Sequence, residues 1–141
     1  MKRTASAEWQ GELKGGKGTI STGSGLLSNA QYSFSTRFEN GVGTNPEELI
    51  AAAHAGCFSM ALSAQLTNVG LKPESIKTEA TVTMEKQDAG FAITAVHLNV
   101  VAQVPGADQA AFEKAAQAAK EGCPVSKVLK ANITMDAKLE A

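Results

Sequence analysis

Two cysteines are the residues of this sequence whose chemistry is easiest to define. Cys57 lies within the apolar segment 49–64, and Cys123 stands directly before Pro124. The thiolate form of cysteine is a nucleophile and the site of oxidation, whereas many free cysteines are only small buried residues. Which chemistry these two perform therefore depends on what lowers the pKa of each thiol.

Cys123 is predicted to lie at the exposed start of a short helix, over residues 124–130. Backbone N–H groups at a helix start are unpaired and favour negative charge, which lowers the pKa of a thiol there. This position predicts a thiolate at Cys123.

Cys57 is in the opposite situation, because burial in an apolar helix raises the pKa of a thiol and leaves it inert. A reactive Cys57 therefore requires a nearby cation. Arg37 is the best local candidate, since it precedes the glycine loop that leads into this helix. The alternative for Arg37 is a solvated charge at the end of a strand.

Glu47 and Glu48 lie at the start of the same helix, where acidic side chains complement the positive end of the helix dipole. That role suffices for Glu48. Glu47 precedes Cys57 by ten residues, or roughly 15 Å along the axis at about 1.5 Å per residue. If Glu47 and Cys57 belong to one active site, a second subunit must supply one of them.

The two histidines are weaker candidates. His54 precedes Cys57 by three residues, so a cysteine–histidine hydrolase is conceivable, but helical geometry is poor for it and no orienting acid is evident. His97 is expected to be an ordinary strand residue. The cysteines and histidines lack the short paired spacings of zinc sites, and no nucleotide fingerprint is present. We expect neither a metal nor a cofactor.

The elements that position these residues follow from turns and from alternating side chains. Strands are predicted over 6–13, 17–22, 32–38, 75–85, 91–104 and 133–139, and helices over 46–69, 108–120 and 124–130. The first two strands form a hairpin around Lys14-Gly15-Gly16. Asn45 caps the long helix, and Arg37 lies on the strand face opposite Tyr32 and Phe34. The order indicates an α+β fold dominated by antiparallel pairs.

The helix over 46–69 is apolar on nearly every side, which predicts burial on every side. Such burial is difficult in a chain of 141 residues without a partner subunit. The length itself fits one domain, residues 1–141.

The charge balance of 13 basic and 14 acidic residues, a net charge of -1, argues against a nucleic-acid partner. The apolar segment 49–64 falls short of the roughly 20 residues that span a bilayer, so no membrane association is expected. No secretory segment is seen at the N-terminus, which predicts a cytoplasmic protein with both cysteines as thiols.

Two motifs carry a resemblance to a known family. The segment 44–60, TNPEELIAAAHAGCFSM, resembles the signature of the OsmC/Ohr family, and Gly122-Cys123-Pro124-Val125-Ser126 is similar to its second motif. Trp9-Gln10-Gly11, the loop 38–43 and Asp88-Ala89-Gly90-Phe91 extend the resemblance over essentially the whole chain and favour the OsmC branch.

The resemblance implies a role for four residues: Cys57 as reactive cysteine, Cys123 as resolving cysteine, Arg37 as thiolate-binding cation and Glu47 as its partner. It also implies an intertwined homodimer, in which antiparallel sheets enclose two central helices and the active sites lie at the subunit boundary. Arg3 is the next cation to test should Arg37 not serve.

The implied activity is thiol-dependent reduction of organic hydroperoxides, through a Cys57 thiolate, a sulfenic acid and a Cys57–Cys123 disulfide. The family leads us to expect a lipoyl-type dithiol as reductant. Phe58, Met60 and Leu62 either favour organic substrates or are core residues. The alternative function is a noncatalytic redox-sensing or small-molecule-binding protein.

Overall fold

A computed structural model describes residues 1–140 and has the predicted α+β composition. The chain divides into two compact units, residues 1–49 and the residues from Ile50 onward. The single domain over 1–141 stays a prediction, and Ala141 lies outside the described residues.

The first unit contains an antiparallel sheet of three strands, β1 (Ala5–Gln10), β2 (Lys17–Thr22) and β3 (Ala30–Tyr32). The predicted hairpin is therefore confirmed, although β1 ends three residues early. Gly18 of β2 lies directly beneath the Tyr32 ring, where any added Cβ would collide. This close approach leaves Trp9 and Tyr32 in contact, with 5.5 Å between ring centroids.

The strand predicted over 32–38 is wrong, because helix α1 (Phe34–Phe38) follows β3 directly. Ser33 caps this helix: its hydroxyl accepts from the Thr36 N–H, and Thr36 Oγ1 accepts from the Ser33 N–H. The aromatic pattern fits a helix as well, since the Phe34 and Phe38 rings are in contact at spacing i, i+4 with centroids 4.8 Å apart. Arg37 is thus a residue of a one-turn helix, not of a strand.

Helix α2 (Pro46–Asn68) forms as predicted. Asn45 Oδ1 accepts a hydrogen bond of 2.7 Å from the Glu48 N–H, and Gly70, at a φ of +81°, follows the helix end. By length and composition α2 could cross a membrane, so the expectation that this segment is too short was wrong.

Only one face of α2 is buried within the chain. The buried positions recur every four residues, at His54, Phe58, Leu62 and Leu66. On the opposite face Ala52, Gly56, Met60 and Ala64 are exposed. The prediction that this helix is buried on every side is therefore wrong for a single chain.

The second unit has a sheet with strand order β4 (Ser75–Gln87), β5 (Gly90–Gln103) and β6 (Asn132–Glu140). Strands β4 and β5 pair antiparallel, whereas β5 and β6 pair parallel. Antiparallel pairs dominate as predicted, and the parallel pair departs from the antiparallel sheets that the resemblance implied. The parallel pair follows from the long connection through α3 (Gln109–Gly122) and α4 (Pro124–Val128), because parallel strands require a crossover.

The core of the second unit is formed by α2, β5 and α3. Its fully buried side chains include Phe58, Leu62, Leu66, Val96, Leu98, Val100 and Phe112. Small residues of α3, Ala115, Ala116 and Ala119, complete this core. The centre of α2 is thereby fixed by packing on both neighbouring elements.

Candidate active site

The two cysteines, 66 positions apart in sequence, meet in the second unit with 2.8 Å between their sulfur atoms. Both are free thiols. Cys57 lies in the middle of α2, next to the buried Phe58, while Cys123 joins α3 to α4 and donates its N–H to the Ala119 carbonyl. Cys123 is fully buried, so the prediction of an exposed helix start was wrong.

Burial raises the pKa of the Cys57 thiol above its ordinary value, and the hydrogen bond with Cys123 raises this pKa further. Burial acts in the same direction on Cys123. There, interactions with the Cys57 thiol, with the Ser126 amide and hydroxyl, and with the Val125 amide outweigh it and lower the pKa of Cys123. Burial thus opposes a thiolate at Cys57, whereas the groups around Cys123 favour one there.

This distribution sets a requirement on any reaction that begins at Cys57. The groups that favour a thiolate in the second unit act mainly on Cys123. A thiolate at Cys57 therefore requires a positive charge near that sulfur. The position of Cys57 in an apolar helix led to the same expectation.

Arg37 and Glu47 form an ion pair in the first unit. Arg37 Nε donates to Glu47 Oε1 over 2.7 Å, from α1 to the first turn of α2. The Arg37 guanidinium also lies 5.5 Å from the centroid of the Phe38 ring. The side chains are 40% and 13% exposed, so the carboxylate holds an accessible cation in a defined orientation.

Glu47 differs from its neighbour Glu48 in its surroundings. Glu47 Oε2 is buried and has no hydrogen-bond partner within residues 1–140. Glu48 is exposed and accepts from Thr44 Oγ1 over 2.7 Å, as suits a residue at a helix start. Of the two carboxylates, Glu47 is the one positioned against a cation.

An apolar cavity of about 230 Å³ lies beside Arg37 within the first unit. Its lining residues are Trp9, Leu13, Tyr32, Ser33, Phe34, Arg37 and Phe38. Sequence reasoning missed this site because it placed Arg37 on the strand face opposite Tyr32 and Phe34. That placement was wrong, since all three residues line the same cavity. Phe58 and Leu62, which were weighed as substrate contacts, are fully buried core residues, whereas Met60 is 77% exposed.

His54 forms a buried pair with Ser126, with 2.8 Å between His54 Nε2 and Ser126 Oγ. In a cysteine–histidine hydrolase His54 would act on Cys57, but here it bonds a serine. Sequence reasoning had given Ser126 no role. Ser126 lies three residues after Cys123, within the second motif. His97 is half-buried and contacts Thr134 and Asp136 at distances of 2.6 and 3.1 Å, as expected of an ordinary strand residue.

Comparisons with known proteins agree on one family. Residues 38–138 match the OsmC-like protein family. The chain is 55% identical over 141 residues to peroxiredoxin OsmC of Escherichia coli (strain K12), which covers 100% of this chain and 99% of that protein.

Two solved structures are similar over nearly the whole chain. The organic hydroperoxide resistance protein OhrB of Bacillus subtilis matches with a TM-score of 0.68 and 25% identity, covering 97% of this chain and 98% of that one. An OsmC-like protein of Vibrio cholerae matches with a TM-score of 0.76 and 17% identity, covering 97% of this chain and 99% of that one. At this identity the similarity shows the fold alone.

Proposed function

Since the chain belongs to the family of OsmC-like proteins, we propose that it reduces organic hydroperoxides to alcohols with Cys57 as the attacking sulfur and Cys123 as the resolving one. The thiol peroxidase class predicted from the sequence is confirmed by the full-length similarity to a peroxiredoxin. The observation that best supports the residue roles is the 2.8 Å separation of the two sulfur atoms.

The cycle begins with attack of the Cys57 thiolate on the outer oxygen of the hydroperoxide. A sulfur–oxygen bond forms, the O–O bond breaks, and the alkoxide leaves as an alcohol after taking a proton. The product on the enzyme is a Cys57 sulfenic acid. Arg37, held by Glu47, supplies the positive charge that stabilises the thiolate and orients the peroxide.

The Cys123 thiolate then attacks the Cys57 sulfenic sulfur. The S–O bond breaks, hydroxide leaves and is protonated to water, and the two sulfurs become a disulfide. The short distance between the sulfurs favours this step over further oxidation of Cys57. An external dithiol, of the lipoyl type expected for the family, returns both residues to thiols by exchange. A cytoplasmic location would keep the pair reduced between cycles.

A homodimer would explain two features of α2. Its exposed face, Ala52, Gly56, Met60 and Ala64, is apolar and lacks large polar side chains. Glu47 and Cys57 are ten residues apart on one helix, so a second subunit is needed to bring the Arg37–Glu47 pair to Cys57. We propose the intertwined arrangement predicted from the sequence, with the two copies of α2 at its centre.

The cavity beside Arg37 supports an organic substrate over hydrogen peroxide. Its walls are four aromatic rings and Leu13, and its volume of about 230 Å³ accommodates a small aryl or alkyl group. Burial of that group gives an organic hydroperoxide binding energy that hydrogen peroxide lacks.

The rival function is a noncatalytic redox sensor or small-molecule-binding protein. Its cysteine pair would form a disulfide once and would not turn over. A peroxide-consumption assay with cumene hydroperoxide and excess dithiothreitol separates the two. A peroxidase consumes many equivalents per subunit, whereas a sensor stops after one. Consumption that ends at one equivalent, with the dithiol still present, would exclude the proposed function.

A further inference from the structure

We propose that His54 and Ser126 form a hydrogen-bond relay that orients the Ser126 hydroxyl toward Cys123 and accelerates disulfide formation with Cys57. This role rests on the proposed peroxidase cycle and adds two residues to it. Ser126 would contact the resolving sulfur directly, and His54 would be a positioning residue behind it.

The burial of the pair argues for a specific role. His54 is fully buried in the apolar face of α2, among Phe58 and the core residues that follow it. Ser126 is 9% exposed and bonds His54 over 2.8 Å. A buried polar pair of this kind costs desolvation that an apolar pair of similar size would avoid.

The unpartnered ring nitrogen of His54 indicates the direction of the relay. Within residues 1–140, His54 Nδ1 is buried and has no hydrogen-bond partner. A buried N–H left without an acceptor is rarer in proteins than a buried acceptor left without a donor. The neutral tautomer with its proton on Nε2 is therefore favoured, and burial also keeps the ring neutral by lowering the pKa of His54.

With the proton on Nε2, His54 donates to Ser126 Oγ. The Ser126 hydroxyl proton is then available to Cys123, which lies three residues earlier at the start of α4 and whose pKa this hydroxyl lowers. A hydroxyl that donates to a sulfur stabilises the thiolate over the thiol. The relay His54 to Ser126 to Cys123 thus favours the thiolate form of the resolving cysteine over its thiol.

The relay should affect only one step of the cycle, the formation of the disulfide. Disulfide formation requires the Cys123 electron pair to attack the Cys57 sulfenic sulfur as hydroxide leaves, and only the thiolate does this efficiently. The first attack on the hydroperoxide takes place at Cys57 and uses the charge of Arg37. Loss of the relay should therefore slow the second step without slowing the first.

Rapid-mixing measurements on four variants test this. Ser126→Ala and His54→Phe remove the donor, while Ser126→Thr and His54→Gln retain one and serve as matched controls. With one equivalent of cumene hydroperoxide, disulfide formation should slow about tenfold in the first two, since a hydrogen bond to a charged group is lost. The two controls should recover most of the rate. Equal rates of disulfide formation in the parent and in Ser126→Ala would overturn the relay.

Nitrogen-15 NMR of the parent protein gives a second test that no folding defect of a variant can obscure. The chain has two histidines, so a His97→Asn sample assigns the signals of His54. The expected result is a neutral ring protonated on Nε2. A proton on Nδ1 would reverse the hydrogen bond and exclude the proposal. Failure of the parent to consume hydroperoxide would instead reject the proposed function, so the two failures are distinguishable.

Discussion

The region that carries the cation and the region that carries the sulfurs are built in opposite ways. Arg37 belongs to a five-residue helix, is 40% exposed and is oriented by a charged partner. Cys57 and Cys123 lie among core residues, with the neutral partners His54 and Ser126 close by. Side-chain caps hold the first region, and close packing holds the second.

The difference also concerns where negative charge is favoured. Within the sulfur region, hydrogen bonds lower the pKa of Cys123 while burial raises that of Cys57. The proposed cycle needs a Cys57 thiolate in its first step and a Cys123 thiolate in its second. In the proposed cycle, the cation would therefore serve the first step and the hydrogen bonds the second.

The largest expected effect comes from the sulfur region. Cys57→Ser should abolish hydroperoxide consumption, because a serine hydroxyl is not ionised at neutral pH. Cys123→Ser is the matched control and should still consume one equivalent per subunit. Both are measured as loss of one added equivalent of cumene hydroperoxide per subunit, without any dithiol. Undiminished consumption in Cys57→Ser would remove the distinction between the two sulfurs.

The next effect comes from the cation region. Arg37→Ala should raise the pKa of Cys57 further, because an opposite charge near a thiolate lowers its pKa by about 1–3 units. The thiolate fraction at neutral pH, and with it the first attack, should fall by roughly 10-fold to 1000-fold.

The check on Arg37 is the rate of Cys57 alkylation against pH, measured in a Cys123→Ser background. The profile should move to higher pH in Arg37→Ala and move less in Arg37→Lys, which keeps the charge but not the planar fork. An unmoved profile with full activity would transfer the role to another cation, with Arg3 the first to test.

A smaller change at α2 tests whether the two regions act across subunits. A Cβ placed on Gly56 meets no atom within 4 Å, so Gly56→Leu should be tolerated by the isolated chain. If the exposed face of α2 packs against a second copy, the same change should convert a dimer into monomers of 14.6 kDa and reduce activity. Sedimentation velocity reports the mass, and Lys114→Leu on the exposed side of α3 is the matched control.

A stable folded monomer in the parent at micromolar concentration would contradict the cross-subunit arrangement. A dimer that persists in Gly56→Leu would show that the interface does not lie on this face of α2.

The smallest effect concerns the cap of α1. Ser33→Ala removes the hydroxyl that accepts from the Thr36 N–H, which should lower the free energy of unfolding by about 1 kcal/mol. Because this cap fixes the helix that carries Arg37, activity should fall more than global stability. Urea denaturation and steady-state kinetics check the two, and Ser33→Asp, which also caps, should recover both. An unchanged activity would show that Arg37 does not depend on this helix.

Much of the fold was predictable because its signals are local. Asn45-Pro46 and Gly70 mark the ends of α2, and the glycines around residues 15 and 90 mark two hairpins. The helix at Phe34–Phe38 was not predictable from alternation, since a five-residue aromatic and polar pattern fits a strand equally well. The parallel pairing of β6 depends on a crossover through two helices, which local patterns do not determine.

The site was predictable where one residue's chemistry is distinctive. Cys57 and Cys123 were identified by type, and the structure brings them together; Arg37 and Glu47 were named separately and form an ion pair. Ser126 was missed because a serine has no distinctive pattern, and its contact with His54 joins residues 72 positions apart. The burial of Cys123 was also missed, because it comes from packing around the junction of α3 and α4.

The central claim is that oxygen is transferred first to Cys57. Mass spectrometry after treatment with excess cumene hydroperoxide tests it directly. The parent protein should contain a Cys57–Cys123 disulfide, and Cys123→Ser should contain sulfinic or sulfonic acid on Cys57, because the sulfenic acid there has no internal partner. Oxidation of Cys123 in Cys57→Ser, with hydroperoxide still consumed, would reverse the two roles and contradict the mechanism.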